Sequence, residues 1–535
     1  MINRIRRRLR DPRFLVSLAA CLIAFVVQSG DLDSADTARR LQTTHSFWTS
    51  APPVLPGDYP DFGLRGRGGR IYAWYGVGQS LLMLPADVVG TALERLPAFQ
   101  DYNGNDPSVR AIVVSYSTNM LVNVLTALVG LRFLLLLGFS MPEAAAGVLA
   151  LLACTSHLHY TQNMMENNYI LLLTLAGFSF QYEWLKTGSQ RELWIGSAAL
   201  GLNLLTRLTT GMDLIAAGIF LLLVLWFETA RADAIWQKAL IYVRTAVPIY
   251  LFFLLIDRLY QFWRFGSFLN TYVSLFAAEQ RQLRPELPAS FPFETPFHIG
   301  FFGALFTPEK SIFLFDPLLV LTILLAVLLW KRLSPELRAY LVSAFLLLLI
   351  YVSFYARYTV WSGDSAWGDR YVSTAVDLAV FISVPLLLRY RAGLRKFVHT
   401  AGLAIVAASA AIQAASVAFW LELELYQIMT RNHPTFVVAL RFENIVAFAF
   451  GKMNQWGLTN SAMADDAWDY VHITTWNFFP FVLRRVGAAP GWVVGIAFAA
   501  WGAGLLLLGW VLWRLRGALR SGGANEAPES APHAE

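Results

Sequence analysis

Long runs of apolar residues recur along this chain at lengths that match a lipid bilayer. A membrane-crossing helix needs about 20 mostly apolar residues, and we read about twelve such runs. They lie at 14–30, 111–134, 142–158, 168–184, 192–206, 211–227, 238–256, 312–330, 339–356, 372–388, 400–420 and 490–512. Charged residues make up only 15% of the 535 residues, against roughly 25% in a soluble domain. The sequence therefore predicts an all-α integral membrane protein with about 12 transmembrane helices, and it argues against a soluble enzyme.

The distribution of basic residues predicts the orientation of these helices. The first run follows a cluster of arginines that includes Arg4, Arg10 and Arg13, which is typical of an uncleaved signal anchor with a cytoplasmic N-terminus. When the later loops are assigned by alternation, the inside loops are short and basic, as the positive-inside rule requires. Their basic residues, with those at the C-terminal end, are Arg132, Lys186, Arg191, Arg231, Lys238, Lys331, Arg332, Arg338, Arg389, Arg391, Arg395, Lys396, Arg514, Arg516 and Arg520. We predict a multi-pass protein of the plasma (inner) membrane with both termini in the cytoplasm.

Three long segments, 31–110, 257–311 and 421–489, are predicted outside, on the periplasmic side. They are rich in aromatic residues, Gly and Pro and contain amphipathic pieces such as Tyr72–Leu96, so we expect interfacial helices on the membrane surface. The predicted divisions are a basic N-terminus (1–13), a transmembrane core (14–420) with the first two outer segments, the third outer segment, a last span (490–512) and a disordered tail (513–535).

Cysteine and histidine residues give little support for a metal centre. Cys21 and Cys154 both lie in apolar runs, which excludes a disulfide framework. His157 and His159 are two residues apart and would face different ways on a helix. No cofactor is predicted, although a divalent metal stays open, and no nucleic-acid partner is expected.

Acidic residues stand at the outer ends of the predicted spans. Asp31, Asp33 and Asp36 follow the first apolar run. They fit an acidic helix cap, or a general base at the membrane surface. Glu166 lies between the third and fourth runs on the same predicted side as Asp31. Ionisable groups at this depth usually face a cavity or a partner, which makes Glu166 a candidate second acid.

Basic residues stand at the same predicted edge. Arg207, Lys310 and Arg370 each lie where a span meets the outer face, beside aromatic or Gly-rich turns. Such cations suit a phosphate held at the membrane boundary, or they simply anchor the helix ends. The Gly68–Ser80 stretch, which contains Tyr75 and Gln79, is not a dinucleotide-binding fingerprint because no strand precedes it.

Taken in order, these stretches resemble the GT-C superfamily of membrane glycosyltransferases, and above all its bacterial branch that depends on phospholipid-linked sugars. That branch has Gly-Asp after its first span, as at Gly30-Asp31, and a Gly-Arg-x-Tyr stretch matched by Gly69 to Leu82. Thr307 to Pro317 and Trp361 to Tyr371 match two further motifs, and the likeness covers roughly residues 14–390.

The sequence departs from that branch in three places. Asp369 replaces a Pro, Ser311 replaces a Gly, and the usual Asp-Glu pair is here Asp31 with Asp33. The last departure leaves open which of these two aspartates is the base.

The resemblance implies an inverting transfer of a hexosyl or pentosyl group from a polyprenyl-phosphate carrier to a hydroxyl of a lipid, glycan or protein. It implies catalytic roles for Asp31, Asp33 and Glu166. It also implies donor-phosphate or substrate contacts from Arg207, Lys310, Arg370, Asp364, Tyr75 and Gln79. A transporter or flippase of lipid-linked sugars is the alternative, but such a protein would place paired ionisable residues at mid-membrane.

Overall fold

The structure of this chain is a computed structural model that describes residues 11–58, 63–99, 102, 107–228, 232–431, 435–452, 475–487 and 489–525. Its first part contains α1 (Pro12–Val27), α2 (Ala35–Ser46), a short hairpin of β1 (Leu64–Arg65) and β2 (Ile71–Tyr72), and α3 (Gly78–Glu94). The strands pair antiparallel, with Leu64 opposite Tyr72. The first predicted outer segment thus folds into two helices joined by a hairpin.

Helices continue with short connections through the middle of the chain. They are α4 (Val109–Leu136), α5 (Met141–Ala153), α6 (His157–Asn163), α7 (Asn167–Thr187), α8 (Gln190–Leu204), α9 (Gly211–Glu228) and α10 (Ala232–Phe265). Several begin at a sequence-encoded cap. Ser108 accepts a hydrogen bond from the backbone of Ala111 at 3.1 Å, and Ser140 forms a capping box with Glu143.

The rest of the described chain is also helical. It contains α11 (Tyr272–Leu283), α12 (Phe297–Phe306), α13 (Ile312–Phe315), α14 (Leu318–Leu329), α15 (Pro335–Tyr355), α16 (Ser373–Val380), α17 (Ser383–Arg389), α18 (Lys396–Ser416), α19 (Glu422–Arg431), α20 (Val437–Ala449), α21 (Phe479–Val486) and α22 (Gly491–Asn525). Helix α22 runs through the first part of the predicted tail, and the tail's remainder, 526–535, lies outside the described residues.

Each predicted apolar run falls on a helix or a pair of helices, but their lengths differ. Among the described residues, six helices are long and apolar enough to cross a membrane, and the bent pair of α5 and α6 would make a seventh. The count of about 12 spans is therefore not confirmed. Several runs give shorter or interrupted helices. Run 312–330 is divided between α13 and α14, and run 372–388 between α16 and α17.

A shared apolar core joins the helices. Phe133 of α4 packs against Phe178 of α7, Phe220 of α9 and Phe381, and Tyr340 of α15 makes an edge contact with Phe133. Interlocked rings of this kind are well suited to fixing the positions of helix ends.

The chain before α3 packs on the turn between α8 and α9. The backbone N–H of Gly78 donates to the carbonyl of Leu205 at 2.8 Å. A Cβ atom at Gly76 or Gly78 would collide with the backbone of Leu205 and Thr206. Glycine at these two positions lets the chain before α3 approach this turn closely. Arg207 lies in the same turn, two positions after Leu205.

Candidate active site

A cavity of about 510 Å³ opens where α2, α11 and the chain before α3 meet the ends of longer helices. Its wall comes from α2, the connection between β2 and α3, the turns before α7 and α9, the C-terminal part of α10, α11 and the chain from Phe354 to Tyr371. The lining includes charged side chains, several tyrosines and the apolar side chains of Met212, Ile215 and Phe354. The volume is in the range of small-molecule sites.

Glu166 lies between two cations in this wall. It precedes α7, and its carboxylate pairs with Arg40 at 2.9 Å and with Arg207. Arg207 stands just before the short turn Leu208–Thr210 that leads into α9. Burial acts to raise the pKa of Glu166, but the two guanidiniums hold that pKa well below its usual range. Glu166 is therefore an anion whose two oxygens both have partners.

Asp36 is the second carboxylate in the wall and lies in the first turn of α2. Its Oδ1 accepts a hydrogen bond from the Tyr75 hydroxyl at 2.6 Å, and its Oδ2 accepts one from Arg370 at 2.8 Å. Burial acts to raise the pKa of Asp36, yet Arg370 and Arg40 lower it overall. The helix start supplies further stabilisation for a negative charge. Asp36 is ionised at neutral pH and more accessible than Glu166, with side-chain exposures of 19% and 5%.

The guanidiniums in this cluster outnumber the carboxylates. Arg40, Arg207 and Arg370 stand against Asp36 and Glu166, which leaves one positive charge in excess. A third cavity-lining carboxylate, Asp257, is bonded by its neighbour Arg258 at 3.0 Å and leaves the excess unchanged. The Nε of Arg370 is buried and has no hydrogen-bond partner among the described residues. An anion entering the cavity would balance the charge and supply the missing acceptor.

Aromatic rings support the cations. The Arg40 guanidinium lies 4.3 Å from the centre of the Tyr75 ring, and those of Arg207 and Arg370 lie 5.4 and 5.3 Å from that of Tyr371. Tyr371 in turn stacks on Tyr355, with ring centres 4.5 Å apart. These contacts restrict where the guanidiniums can point.

Four of the residues predicted from the sequence line the cavity together: Glu166, Arg207, Arg370 and Tyr75. Gln79 lies behind the wall, where its amide donates to the carbonyl of Met164 at 2.8 Å. It therefore braces the turn that carries Glu166 and does not line the cavity.

The other two predicted acids, Asp31 and Asp33, do not line the cavity. Asp31 is half-buried, and its Oδ1 accepts from the backbone of Leu32 at 2.6 Å. Asp33 is buried and accepts from Ser29 at 2.7 Å and from Asn477 at 3.2 Å. Burial and the nearby Asp31 raise the pKa of Asp33 to about 8. The contacts of Asp33 tie the chain after α1 to the segment before α21.

Lys310 and Asp364 also lie away from the cavity lining. The Lys310 ammonium donates to the backbone carbonyls of Asp364, Ala366 and Gly368, at 2.7, 2.8 and 3.2 Å. These contacts place Lys310 inside the loop that ends at Arg370.

Sequence reasoning missed two functional candidates, Asp36 and Arg40. In the sequence, Asp36 is one of three acids after the first apolar run, and Arg40 lies outside the motifs named above. The signal that would have found them is their spacing, because residues four apart share one face of a helix. A helix predicted from Ser34 onward would have placed both side chains on the same side of α2.

His157, His159, Cys21 and Cys154 are not among the residues that line this cavity. His157 contacts Asn123 at 3.1 Å, while His159 contacts the carbonyl of Ser416 at 3.3 Å. Within the described ranges, no group of three or more His, Cys, Asp or Glu side chains could hold a metal ion.

Solved structures similar to this chain include two of archaeal oligosaccharyltransferase from Archaeoglobus fulgidus. The apo enzyme gives a TM-score of 0.44 at 13% identity, and AglB in complex with an inhibitory peptide and a dolichol-phosphate gives 0.46 at 15%. Each match covers 79% of this chain and 58% of the other, so this chain matches little more than half of their length. No family model and no curated protein matches the sequence.

Both neighbours are named as oligosaccharyltransferases. At this level of similarity, no activity, substrate or residue role is transferred from them to this chain.

Proposed function

We propose that this protein is a membrane glycosyltransferase that moves a sugar from a polyprenyl-phosphate carrier to an acceptor hydroxyl on the non-cytoplasmic face. The observation that carries the proposal is the unbalanced cluster of Arg40, Arg207 and Arg370 with Asp36 and Glu166 in one cavity. A transferase of this kind needs cations for a phosphate and a carboxylate for a hydroxyl, and the cluster offers both.

The excess guanidinium suits the donor. A sugar joined to a polyprenyl phosphate is a phosphodiester with one negative charge, which matches the one positive charge in excess. Arginine binds phosphate oxygens through paired N–H groups. As the glycosidic bond breaks, the leaving phosphate gains charge, so fixed cations stabilise the transition state more than the bound donor.

Apolar residues in the lining suit the lipid tail. Ile215 of α9 and Phe354 of α15 line it and are also 58% and 38% exposed on the protein surface. A path from the charged cluster to this apolar surface would let the phosphate sit among the arginines while the polyprenyl chain stays in lipid.

The acceptor hydroxyl needs a base, and we assign this role to Asp36. Its carboxylate is ionised and more exposed than that of Glu166, and only one of its oxygens is held by an arginine, whereas both Glu166 oxygens are. A phosphate that draws Arg370 away would free Oδ2 of Asp36 to accept the hydroxyl proton as the oxygen attacks the anomeric carbon. Attack opposite the leaving phosphate inverts the anomeric configuration. Glu166 then serves as an anchor that holds Arg40 and Arg207 in place.

The proposal is tested with purified protein in lipid nanodiscs, a pool of polyprenyl-phosphate sugars and a bacterial envelope extract as acceptor. We expect release of polyprenyl phosphate that depends on Arg207. Arg207→Ala is compared with Arg357→Ala, because Arg357 is exposed and outside the cavity lining. Passage of intact donor across a liposome membrane, with no phosphate released, would instead identify a flippase.

The proposed orientation is tested by labelling. In a background without Cys21 and Cys154, cysteines are placed at Ser267 and Ser189, which lie on opposite predicted sides. An impermeant thiol reagent should label Ser267→Cys in intact spheroplasts and should label Ser189→Cys only after lysis. Labelling of Ser189→Cys in intact spheroplasts would reverse the topology.

A further inference from the structure

We infer that Lys310 is a positioning residue that shapes the loop from Gly363 to Arg370 and thereby sets Arg370 in the cavity. The inference rests on the proposed function only where it concerns transfer. It assigns Lys310 to the protein's own backbone and not to the donor phosphate.

The ammonium of Lys310 is fully used inside the loop. The residue is 3% exposed, and its three hydrogens have three acceptors, the carbonyls of Asp364, Ala366 and Gly368. An ammonium has three donors and no more. A phosphate could therefore bind Lys310 only by displacing one of these carbonyls.

The loop needs such an internal tie because its backbone is unusual. Gly363, Asp364 and Gly368 all have positive φ angles, of 79°, 58° and 67°. These turns bring the carbonyls of alternate residues to one point, where their negative ends would repel each other. A buried cation at that point compensates the repulsion and the cost of the left-handed Asp364.

The same loop sets the start of the Arg370 side chain. Gly363 lies directly against Arg370, since a Cβ atom there would be 2.8 Å from Arg370 Cγ and 2.9 Å from its backbone nitrogen. On the other side, Asn167 donates to the Arg370 carbonyl at 2.6 Å. Arg370 is thus clamped between the loop that Lys310 gathers and the start of α7. From there its guanidinium reaches Asp36.

This arrangement predicts that Lys310 acts through Arg370. A loop that loses its cation would shift Arg370, and displacements of about 1 Å in a catalytic group cost up to ~10²-fold in rate. Once Arg370 has been truncated, there is no guanidinium left to misplace. The effect of removing Lys310 should then disappear.

A double-mutant cycle in the transfer assay tests this dependence. We expect Lys310→Met to lower transfer by about 10–10²-fold. Lys310→Met combined with Arg370→Ala should be no slower than Arg370→Ala alone, within about twofold. If Lys310 bound phosphate itself, or only kept the protein folded, the two losses would multiply, and that result would overturn the inference.

Hydrogen exchange tests the loop without any need for activity. In Lys310→Met, peptides covering 361–372 should take up deuterium at least about tenfold faster than in the wild type, while peptides from α7 stay unchanged. Lys331→Met, at an exposed lysine, is the matched control and should change neither region. Unchanged exchange of 361–372 would refute the inference.

Lys310→Gln guards against misfolding of the methionine variant. It keeps two N–H donors for the carbonyls without the charge, so we expect intermediate exchange and intermediate transfer. Exchange as slow as in the wild type would count against the inference. Should the wild type transfer no sugar, the proposed function fails while the exchange result still decides the role of Lys310 in the loop.

Discussion

Two buried charge clusters in this protein differ in whether their charges and hydrogen bonds are balanced. Around Arg441, Nε and Nη2 donate to both oxygens of Glu424 at 2.7 and 2.6 Å, and Nη1 donates to the carbonyls of Ser416 and Phe419. Both charged side chains of this pair have no exposed surface. In the cavity cluster, by contrast, Arg40, Arg207 and Arg370 stand against Asp36 and Glu166, and the Nε of Arg370 has no hydrogen-bond partner among the described residues.

The difference distinguishes a cluster that stabilises the fold from one that is suited to bind a ligand. The Arg441–Glu424 pair is neutral and its hydrogen bonds are complete, so it joins α18, α19 and α20 and leaves nothing for a ligand. The cavity cluster is left with a surplus charge beside empty volume, which is the arrangement that an anionic ligand completes. Breaking a closed pair should cost stability, whereas breaking the open cluster should cost turnover.

The strongest test of the open cluster removes its base. Asp36→Asn keeps the size of the side chain but not its charge, and loss of general-base help should lower transfer by about 10²–10⁴-fold. The initial rate of polyprenyl phosphate release gives the effect, and donor binding should survive. Asp31→Asn and Asp33→Asn are the matched controls and should keep most of their activity per folded molecule. An inactive Asp31→Asn with an active Asp36→Asn would move the base to Asp31.

Removal of the unpaired cation should have the next largest effect. Arg370→Ala should lower turnover by about 10²–10³-fold, the scale for losing one preorganised donor to a developing charge. The thermal unfolding temperature in the same nanodiscs should change little. A lowered unfolding temperature with normal transfer by the folded protein would show that Arg370 stabilises the fold and does not act in transfer.

The Arg441–Glu424 pair should show the reverse pattern, a loss of stability without a loss of turnover. Arg441→Ala leaves Glu424 buried without its cation, and we expect a loss of about 3–5 kcal/mol in unfolding free energy. Transfer per folded molecule should stay near the wild-type rate. The double variant Arg441→Met with Glu424→Leu should recover much of the stability. A specific loss of turnover in folded Arg441→Ala would contradict the separation between the two clusters.

Asp33 should affect stability alone, and the effect is seen as a pH dependence. Its pKa is raised in the folded protein to about 8, so between roughly pH 4 and 8 the folded state binds more protons than the unfolded state. Stability should therefore fall as the pH rises through this range. Unfolding temperatures measured between pH 5 and 8 should decline less in Asp33→Asn, which cannot ionise. Equal slopes in both proteins would show that Asp33 does not titrate in this range.

Several features of this protein follow from the sequence alone. Apolar runs are a local property, so they indicated a helical membrane protein without any knowledge of the packing. Glu166, Arg207 and Arg370 were predicted from their places at the ends of such runs, and they share the cavity because those ends meet on one side of the bundle.

The tertiary structure decided which charged groups lie within reach of each other. Asp36 and Arg370 are 334 positions apart in the sequence and 2.8 Å apart in the fold. No local pattern reveals that Asp36 faces Arg370 or that the Lys310 ammonium is enclosed by carbonyls. Hydrophobicity is read residue by residue along a helix, whereas a carboxylate becomes a base or a structural tie through partners that only packing supplies.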